Sequence, residues 1–425
     1  MPSPADEPPP PVVSRPGGPI LLVDRPAPAT QDEVRRHNLA SLLRLVHVRG
    51  ATSRADLTLL TGLNRSTVKA LTEELAQAGL VRESAPVGRG GAGRPSITVE
   101  PESELVYVLA LDIGVEHLTA VRVGLGGVVL DRHELRQNPE DYDVRRTLRR
   151  LDRLATKVLG EAPPDARCVG IGVGVCGVVS ADDGLVRFAP NLGWVDVPIR
   201  DLLAEVLDSR LRIEVGNDGD LGARAEHLRG AAVGLSDVVY VSGEVGVGGG
   251  IILGGRPMRG FGGYGGEVGH MSIDPKGHSC RCGRRGCWET AVGDEAVLLA
   301  TGAPAGTTFE QVLEAYVSGE RWPQAGMRQV ALALSVGVVN LVNIFNPQMI
   351  LFGGSVRHLY QATQPVVHEA LKQALSAPGE QVRLGQAGLG DDSIAIGAAE
   401  LAFDQLLSDP LGALSRLPDL MGAPA

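Results

Sequence analysis

Three cysteines and a histidine are gathered in one stretch of the chain, residues 262–289. Cys280, Cys282 and Cys287 lie within eight residues of one another, and His270 precedes the first of them by ten. Thiolate and imidazole are ligands that zinc prefers, and four of them in a tetrahedron close a structural site. Two glycines between Cys282 and Cys287 let the chain curl back. The spacing therefore predicts one structural Zn²⁺ ion.

Other interpretations of this stretch remain open from the residues alone. His278, two residues before Cys280, competes with His270 as the fourth ligand. The cysteines could also form a disulfide or remain free buried thiols. The chain begins with neither a basic segment nor an apolar one, so a signal peptide is not expected. A cytoplasmic location follows, where cysteines stay reduced and bind metal rather than pair.

The same stretch resembles the signature of the ROK family, which unites sugar kinases with sugar-responsive repressors. The similarity rests on an ExGH sequence starting at Glu267 and on a GxxCxCGxxGCxE block ending at Glu289. The resemblance implies that His270, rather than His278, joins the three cysteines around zinc. It also implies that Glu267, His270 and Glu289 face a sugar, whose hydroxyls donate to carboxylates with charge assistance. Solvated surface charges are the alternative for both glutamates.

Further sugar-side residues follow from the resemblance. A predicted strand ends at Asn217 and Asp218, immediately before a predicted helix. In the family's kinases the aspartate at this place deprotonates the sugar hydroxyl, and the asparagine contacts the sugar. Asn191, close to Trp194, resembles the family's sugar-side loop. Asp218 would be the catalytic residue if the chain were a kinase.

Two loops that meet nucleotide phosphates in such kinases are altered in this chain. The first kinase hairpin reads DxGxT, but here residues 112–116 place Glu116 at the threonine position. The kinase form of the later glycine-rich loop has Gly-Thr, where this chain has Glu244 and Val245. At ~4 Å and an effective dielectric constant near 20, each like-charge contact costs on the order of 4 kcal/mol. The chain is therefore not expected to be an enzyme.

The N-terminal region carries a different signature. Residues 31–100 hold ten Lys and Arg against seven Asp and Glu, whereas the chain as a whole has a net charge of −10. Helical periodicity is followed by an N-cap at Ser53, a break at Gly62 and a second cap at Asn64. The second helix is predicted to run from Arg65 to about Ala78. Helix, short turn with glycine and helix predict a helix-turn-helix, with two short strands after it as a wing.

The predicted DNA contacts lie at the N-terminal ends of these helices and in the wing. A recognition helix meets base edges and phosphates near its N-terminus, and arginines among glycines can enter a narrow minor groove. A solvated hairpin and a helical protein-contact module are the alternatives. The predicted contacts are Ser53, Arg54, Asn64, Arg65, Ser66, Thr67, Lys69, Arg89 and Arg94.

These observations predict an α/β fold in which a winged helix-turn-helix precedes a two-lobed actin-like body of the sugar kinase or hexokinase type. The expected ranges are a disordered Pro-rich tail at 1–30, the DNA-binding domain at 31–100 and the sugar-sensing lobes at 101–425. The sequence contains no uninterrupted run of about 18 apolar residues, so a membrane span is not expected.

The predicted function is a sugar-responsive DNA-binding regulator, a repressor of carbohydrate metabolism genes with a zinc-stabilised, non-catalytic sugar cleft. Its expected partners are a double-stranded DNA operator, a sugar or sugar phosphate effector, and further copies of the chain. A homodimer or homotetramer is implied by family analogy. The alternatives are an active ATP-dependent sugar kinase fused to a DNA-binding module, and a zinc-stabilised interaction protein without a ligand.

Overall fold

The computed structural model describes residues 30–85, 96–138, 142–243 and 245–417. The predicted Pro-rich tail, apart from its last residue, lies outside these ranges. So do Arg89 and Arg94 at the wing tip, and Glu244 in the glycine-rich loop.

Three helices and three short strands form the N-terminal module, defined here as residues 30–101 without the wing tip. Each helix starts at a side-chain cap: Thr30, Ser53 and Asn64 accept a hydrogen bond from the backbone three residues on. The strands pair in the order β1-β3-β2. The elements are α1 (Gln31–Arg49), β1 (Thr52–Ser53), α2 (Arg54–Thr61), α3 (Arg65–Gln77), β2 (Val81–Ser84) and β3 (Thr98–Pro101).

The first lobe contains a five-stranded sheet in the order β11-β7-β4-β5-β6 and a smaller sheet in the order β10-β9-β8. In the large sheet, β4 and β5 pair antiparallel, as do β5 and β6, whereas β7 is parallel to β4 and to β11. The elements are β4 (Val106–Ile113), β5 (His117–Gly124), β6 (Val128–Arg136), α4 (Val144–Gly160), β7 (Arg167–Val175), β8 (Val178–Val179), β9 (Val186–Ala189), β10 (Trp194–Val197), α5 (Ile199–Val206), β11 (Ile213–Asn217) and α6 (Asp218–Arg229).

The second lobe repeats this pattern with the strand order β14-β13-β12-β15-β16 and the same strand directions. Two sheets of equal order and direction confirm the predicted two-lobed actin-like architecture. The elements of the second lobe are β12 (Val238–Gly243), β13 (Val247–Leu253), β14 (Arg256–Pro257), α7 (Glu289–Val292), α8 (Asp294–Thr301), α9 (Phe309–Val317), α10 (Arg321–Phe345), β15 (Met349–Gly353), α11 (Gly354–Leu371), α12 (Ser376–Gln381) and β16 (Arg383–Gln386). Two further helices, α13 (Ser393–Ser408) and α14 (Pro410–Ser415), follow and pack on the first lobe.

One apolar core joins the N-terminal module to the first lobe. Leu42 and Leu43 of α1 belong to the same buried cluster as Val108 of β4 and Ala399 and Phe403 of α13. Helix α13 thus packs on the first lobe and also supports the module. The N-terminal module is therefore packed against the first lobe through a shared apolar core.

Helix α10 is long and apolar enough to cross a membrane by length and mean hydropathy, and it alone among the described helices has this property. In this fold 44% of that stretch is buried. Leu334, Val338 and Leu341 lie in the core of the second lobe. Helix α10 therefore serves as a core helix of this lobe.

Candidate sugar, zinc and DNA sites

The histidine and the three cysteines of the 262–289 stretch come together in the structure. One ring nitrogen of His270 and Sγ of Cys280, Cys282 and Cys287 all lie within 4.8 Å of one another. Cys280 Sγ is 3.7 Å from His270 Nδ1, and Cys282 Sγ is 3.7 Å from Cys287 Sγ. Zn–S bonds of about 2.3 Å in a tetrahedron place sulfurs roughly 3.8 Å apart. The donor set and its spacing fit a structural zinc ion.

The local backbone explains how this cluster forms. Short bridges pair Ser272 with Cys287 and Ser279 with Arg285, which folds the segment back on itself. Gly286 has a φ of 67°, and a Cβ there would lie 1.5 Å from the carbonyl oxygen of Asp274. Only glycine fits this return. His278 lines a neighbouring cavity, whereas His270 lies in the cluster.

Glu289 connects the cysteine cluster to the cleft between the lobes. The Cys280 thiol donates to Glu289 Oε1 at 2.7 Å, and His270 Nδ1 is 3.3 Å from the same oxygen. The other oxygen, Oε2, lies 3.5 Å from the backbone nitrogen of Val247. The carboxylate is thus held at the start of α7 by groups from both the cluster and β13.

Three of the predicted sugar residues converge on the turn between β12 and β13. A Cβ at Gly246 would lie 2.9 Å from Glu289 Oε2 and 3.0 Å from Asn191 Nδ2. A Cβ at Gly248 would lie 3.7 Å from Asp218 Oδ1. The glycines therefore leave room beside one amide and two carboxylates, which can donate to and accept from sugar hydroxyls. We call Asn191, Asp218, Glu267, His270 and Glu289 the sugar side of the cleft.

Two carboxyl groups in this region have raised pKa values. Burial raises the pKa of Glu267, nearby Glu289 adds to this shift, and His270 opposes it. Asp220, in the first turn of α6, was not predicted as a site residue. Burial raises its pKa to about 7, with Arg259 opposing the shift and Glu267 adding to it. Carboxyl groups with such values cluster at functional sites.

Asn217 has a more structural role than the sequence predicted. Its Oδ1 accepts from the backbone nitrogen of Asp220, which caps α6, and its Nδ2 donates to the carbonyl oxygen of Gly177. Both ends of the amide are therefore used inside the protein. Asp218, the next residue, begins α6 with Oδ1 accepting from the backbone nitrogen of Gly219.

Two adjoining cavities lie beside the sugar side, with volumes of about 490 Å³ and about 610 Å³. Asn191, Val245 and Arg281 line both of them. Arg281 was missed by the sequence interpretation, although its place between Cys280 and Cys282 was a signal. Its Nη1 donates to Asn191 Oδ1 at 3.1 Å, so the metal loop also orients a predicted sugar ligand.

The turn between β4 and β5, the first predicted phosphate loop, is contacted by side chains of the protein itself. Asp112 is buried, and its Oδ2 lies 3.0 Å from His117 Nε2. A Cβ at Gly114 would meet the His117 ring at 2.6 Å, so the imidazole lies directly on the turn. Gln137 Nε2 ties the turn further by donating to the carbonyl oxygen of Gly114. We call the β4–β5 turn the phosphate side; Glu116 of this turn lines the larger cavity.

Helix α3 presents most of the predicted DNA contacts to solvent. Val68, Leu71 and Leu75 face the core, while Arg65 and Lys69 are exposed on the opposite face. Asn64 Oδ1 accepts from the Thr67 backbone and from the Ser66 hydroxyl, which organises the N-terminal end of the helix. Exposed cations at a helix N-terminus suit phosphate and base contacts.

Two predicted DNA residues are engaged within the module. Arg54 donates to both carboxylate oxygens of Glu83 at 2.6 Å and contacts Glu73, and its side chain is only 14% exposed. This guanidinium ties α2 to β2 and α3. The Ser53 hydroxyl caps α2 and donates to Asp56.

The chain is similar to known proteins in both sequence and structure. A sequence model described as ROK family matches residues 108–405. The chain is 28% identical over 376 residues to the xylose repressor of Caldicellulosiruptor bescii, covering 84% of this chain and 93% of that protein.

Two solved structures are similar over different lengths. One is a ROK family transcriptional regulator described as a homolog of E. coli MLC protein. It has a TM-score of 0.73 and 25% identity, covering 90% of this chain and 98% of its own. The other, a ROK family glucokinase from Streptomyces griseus in complex with glucose and AMPPNP, has a TM-score of 0.60 and 25% identity. It covers 70% of this chain and 99% of its own.

Proposed function

The chain belongs to the ROK family, and from this premise we propose that it is a sugar-responsive, DNA-binding transcriptional regulator. We propose further that it represses genes of carbohydrate metabolism, in the cytoplasm. The observation that carries the proposal is the extent of the similarity. The regulator covers 90% of this chain, and the glucokinase, although covered nearly to its ends, covers 70%. The N-terminal module is what a regulator has and a kinase of this kind lacks.

We propose that His270, Cys280, Cys282 and Cys287 hold one structural zinc ion. Their mutual distances support this role. The ion would fix one nitrogen of His270 and leave the other free to meet a hydroxyl. It would also hold the loop that carries Glu289 and Arg281, so the metal acts on sugar binding by positioning these side chains.

The proposed effector is a sugar or sugar phosphate bound between the lobes. Glu267, His270, Glu289, Asn191 and Asp218 would exchange hydrogen bonds with its hydroxyls. Asn217 would support the site mainly by capping α6, because both ends of its amide have partners. Arg281 joins the proposed site through its contact with Asn191.

We propose that the bound sugar is not phosphorylated. Phosphoryl transfer requires positioned groups that neutralise the concentrated negative charge of the transferring phosphate. His117 covers the turn that such a phosphate would approach, and Glu116 adds negative charge. Asp218 is the observation that favours the alternative, a kinase fused to a DNA-binding module, because it could serve as the base. However, a protein that binds the sugar without phosphorylating it would also use a carboxylate at this position, to accept a hydrogen bond from the sugar hydroxyl.

DNA binding is assigned to the exposed end of α3 and to the wing. Arg65, Lys69, Ser66 and Asn64 would contact phosphates or base edges, with Thr67 behind them. Arg89 and Arg94 would enter the minor groove. Ser53 and Arg54 are assigned to the fold of the module. Paired half-sites require paired recognition helices, so we propose a homodimer or homotetramer.

The proposed function is tested with a DNA duplex selected from random sequences by the full-length protein. Xylose, glucose and glucose 6-phosphate are first screened for a rise in Tm; a ligand at 100 times its Kd adds about 2.7 kcal/mol of stability. Operator affinity is then measured at fixed salt with and without the stabilising sugar. We expect a change of roughly 5- to 150-fold. Absence of any selected duplex, or a sugar that binds without altering DNA affinity, would overturn the proposal.

A further inference from the structure

A buried polar cluster joins the N-terminal module to the body at a point remote from both proposed ligand sites. His47 of α1 has no exposed surface, and its Nε2 lies 3.1 Å from both carboxylate oxygens of Glu400 in α13. The backbone nitrogen of Gly126, in the β5–β6 turn, donates to His47 Nδ1 at 2.9 Å. Because Nδ1 accepts, the neutral ring carries its proton on Nε2, facing Glu400.

Arg229, the last residue of α6, closes the cluster with its whole guanidinium. Nε donates to Glu400 Oε1 at 2.5 Å, Nη1 donates to the carbonyl oxygen of Gly126 at 2.7 Å, and Nη2 donates to the carbonyl oxygen of His47 at 3.2 Å. Nη2 is also close to His47 Nε2, but this contact is not a hydrogen bond because that ring nitrogen carries the proton. One side chain thus connects the N-terminal module, the first sheet, α6 and α13.

The charges of the cluster balance within it. Burial lowers the pKa of His47, which keeps the ring neutral. Burial alone would raise the pKa of Glu400, but the contacts with His47 and Arg229 outweigh it and hold this pKa at about 2. The cluster is therefore one buried cation against one buried anion, and displacing Arg229 leaves Glu400 without its charge partner.

Helix α6 connects this cluster to the sugar side in a single element. It begins at Asp218 and ends at Arg229, a length of about 18 Å at 1.5 Å per residue. It touches the second lobe closely, because a Cβ at Gly219 would lie 2.6 Å from the backbone of Gly249 in β13. It touches α13 equally closely, because a Cβ at Gly397 would lie 2.0 Å from the carbonyl oxygen of Leu221. Packing this tight transmits displacement of one neighbour to the other.

We propose that α6 couples the sugar cleft to the N-terminal module. The coupling would pass through the fork of Arg229, by which we mean the hydrogen bonds that its two terminal nitrogens donate to the carbonyl oxygens of Gly126 and His47. Sugar binding at Asp218 and the adjoining strand β13 would shift α6, and Arg229 would carry this shift into α1. The inference rests on the proposed function. It adds to it the route by which an occupied cleft changes the position of the module.

The experiment compares two arginines of the same helix. Arg229→Lys keeps a cation for Glu400 but lacks the fork that reaches Gly126 and His47. Arg224→Lys is the matched control, because Arg224 donates to the carbonyl oxygen of Glu400 and to Asp404, both in α13. For each full-length variant we would measure the Kd of the stabilising sugar, the Kd of the selected duplex, and the ratio of duplex Kd values with and without that sugar.

We expect Arg229→Lys to bind sugar within about threefold of the wild type while its ratio falls towards one. We expect Arg224→Lys to retain the wild-type ratio. A wild-type ratio that survives in Arg229→Lys overturns the coupling route alone, as does an equal loss in both variants. A ratio of one in the wild type overturns the proposed function, and the route with it. Should Arg229→Lys prove unstable, Arg229→Gln in a Glu400→Gln background removes the fork without leaving a buried charge.

Discussion

On the sugar side of the cleft, Asn191 and Glu289 line a cavity of about 490 Å³, whereas on the phosphate side the imidazole ring of His117 lies against the β4–β5 turn. Glu289 and Asn191 lie around Gly246, and no side chain is interposed there. Gly114 on the phosphate side is covered by His117, which also pairs with buried Asp112. The proposed sugar-binding residues thus border a cavity, whereas the β4–β5 turn is contacted by His117 and Gln137 and brings the negative charge of Glu116 to the larger cavity.

In the proposed function, this difference allows a kinase-like body to serve as a sensor. A cleft that binds sugar needs polar groups in fixed positions. The loop of the proposed zinc ligands would supply part of this fixation, because Arg281 Nη1 donates to Asn191 Oδ1 and Glu289 follows Cys287 by two residues. Catalysis needs, in addition, groups that accept and neutralise phosphate. Losing only the second set leaves ligand binding intact. The binding energy is then available to shift a conformational equilibrium, limited by the difference in affinity for the two states.

The largest effect is expected from removing a cluster ligand. Cys280→Ser should lower the zinc content from one ion per chain to nearly none, because three donors hold the ion far more weakly than four. The loop bearing Glu289 should loosen, and the sugar-dependent rise in Tm should disappear. Elemental analysis of chelator-washed protein measures the zinc.

Cys176→Ser is the control for this prediction, because Cys176 lies outside the cluster. It should keep both zinc and the sugar response. If the wild-type protein contains no zinc, or if Cys280→Ser keeps a full sugar response, the proposed role of zinc in sugar binding is wrong.

A matched pair of acidic residues sharpens the contrast between the two sides. Glu267→Ala should weaken sugar binding roughly 10- to 150-fold, because a charge-assisted hydrogen bond is worth about 1.5–3 kcal/mol. Glu116→Gln, on the phosphate side, should leave the Kd of the sugar within about twofold. Calorimetric titration of both variants makes the comparison. Equal losses would mean that the sides do not differ as described.

The smallest effect is expected from Asp220, which lies beside Glu267. Its pKa of about 7 in the folded chain exceeds its ordinary value, so the folded state binds the proton more readily than the unfolded state. The contribution of Asp220 to the free energy of unfolding is therefore largest below about pH 4 and declines as pH rises towards 7. Asp220→Asn should match the wild type at pH 4 and be more stable at pH 8. Because Asp220 is only partly buried, we expect on the order of 1–2 kcal/mol.

Thermal unfolding of both proteins across this pH range measures the difference. A gain from Asp220→Asn that is the same at pH 4 and pH 8 would show that proton binding at Asp220 is not its cause.

Several local features of the fold and the cysteine cluster could be predicted because their signals are local. The cysteine spacing, the caps at Ser53 and Asn64, and the strand-to-helix junction at Asn217 all operate over a few residues. Periodicity and capping report such short-range physics directly. The resemblance to a known family supplied the roles of the individual residues.

What the sequence did not predict depends on contacts between distant residues. His47 and Glu400 are 353 positions apart, and nothing local marks either as a partner of the other. Arg54 resembles a DNA contact by its place at a helix start, yet its ion pair with Glu83 was not visible in the sequence. The ring of His117 over Gly114 likewise follows from a side-chain orientation that spacing does not specify.

The most direct test of the contrast between the two sides is turnover of ATP with magnesium and the sugar that stabilises the protein. The account predicts no sugar phosphorylation above background in the wild type, under conditions where sugar binding is saturated. Phosphorylation at ordinary kinase rates, abolished in Asp218→Ala, would contradict it and make the chain a kinase with a DNA-binding module.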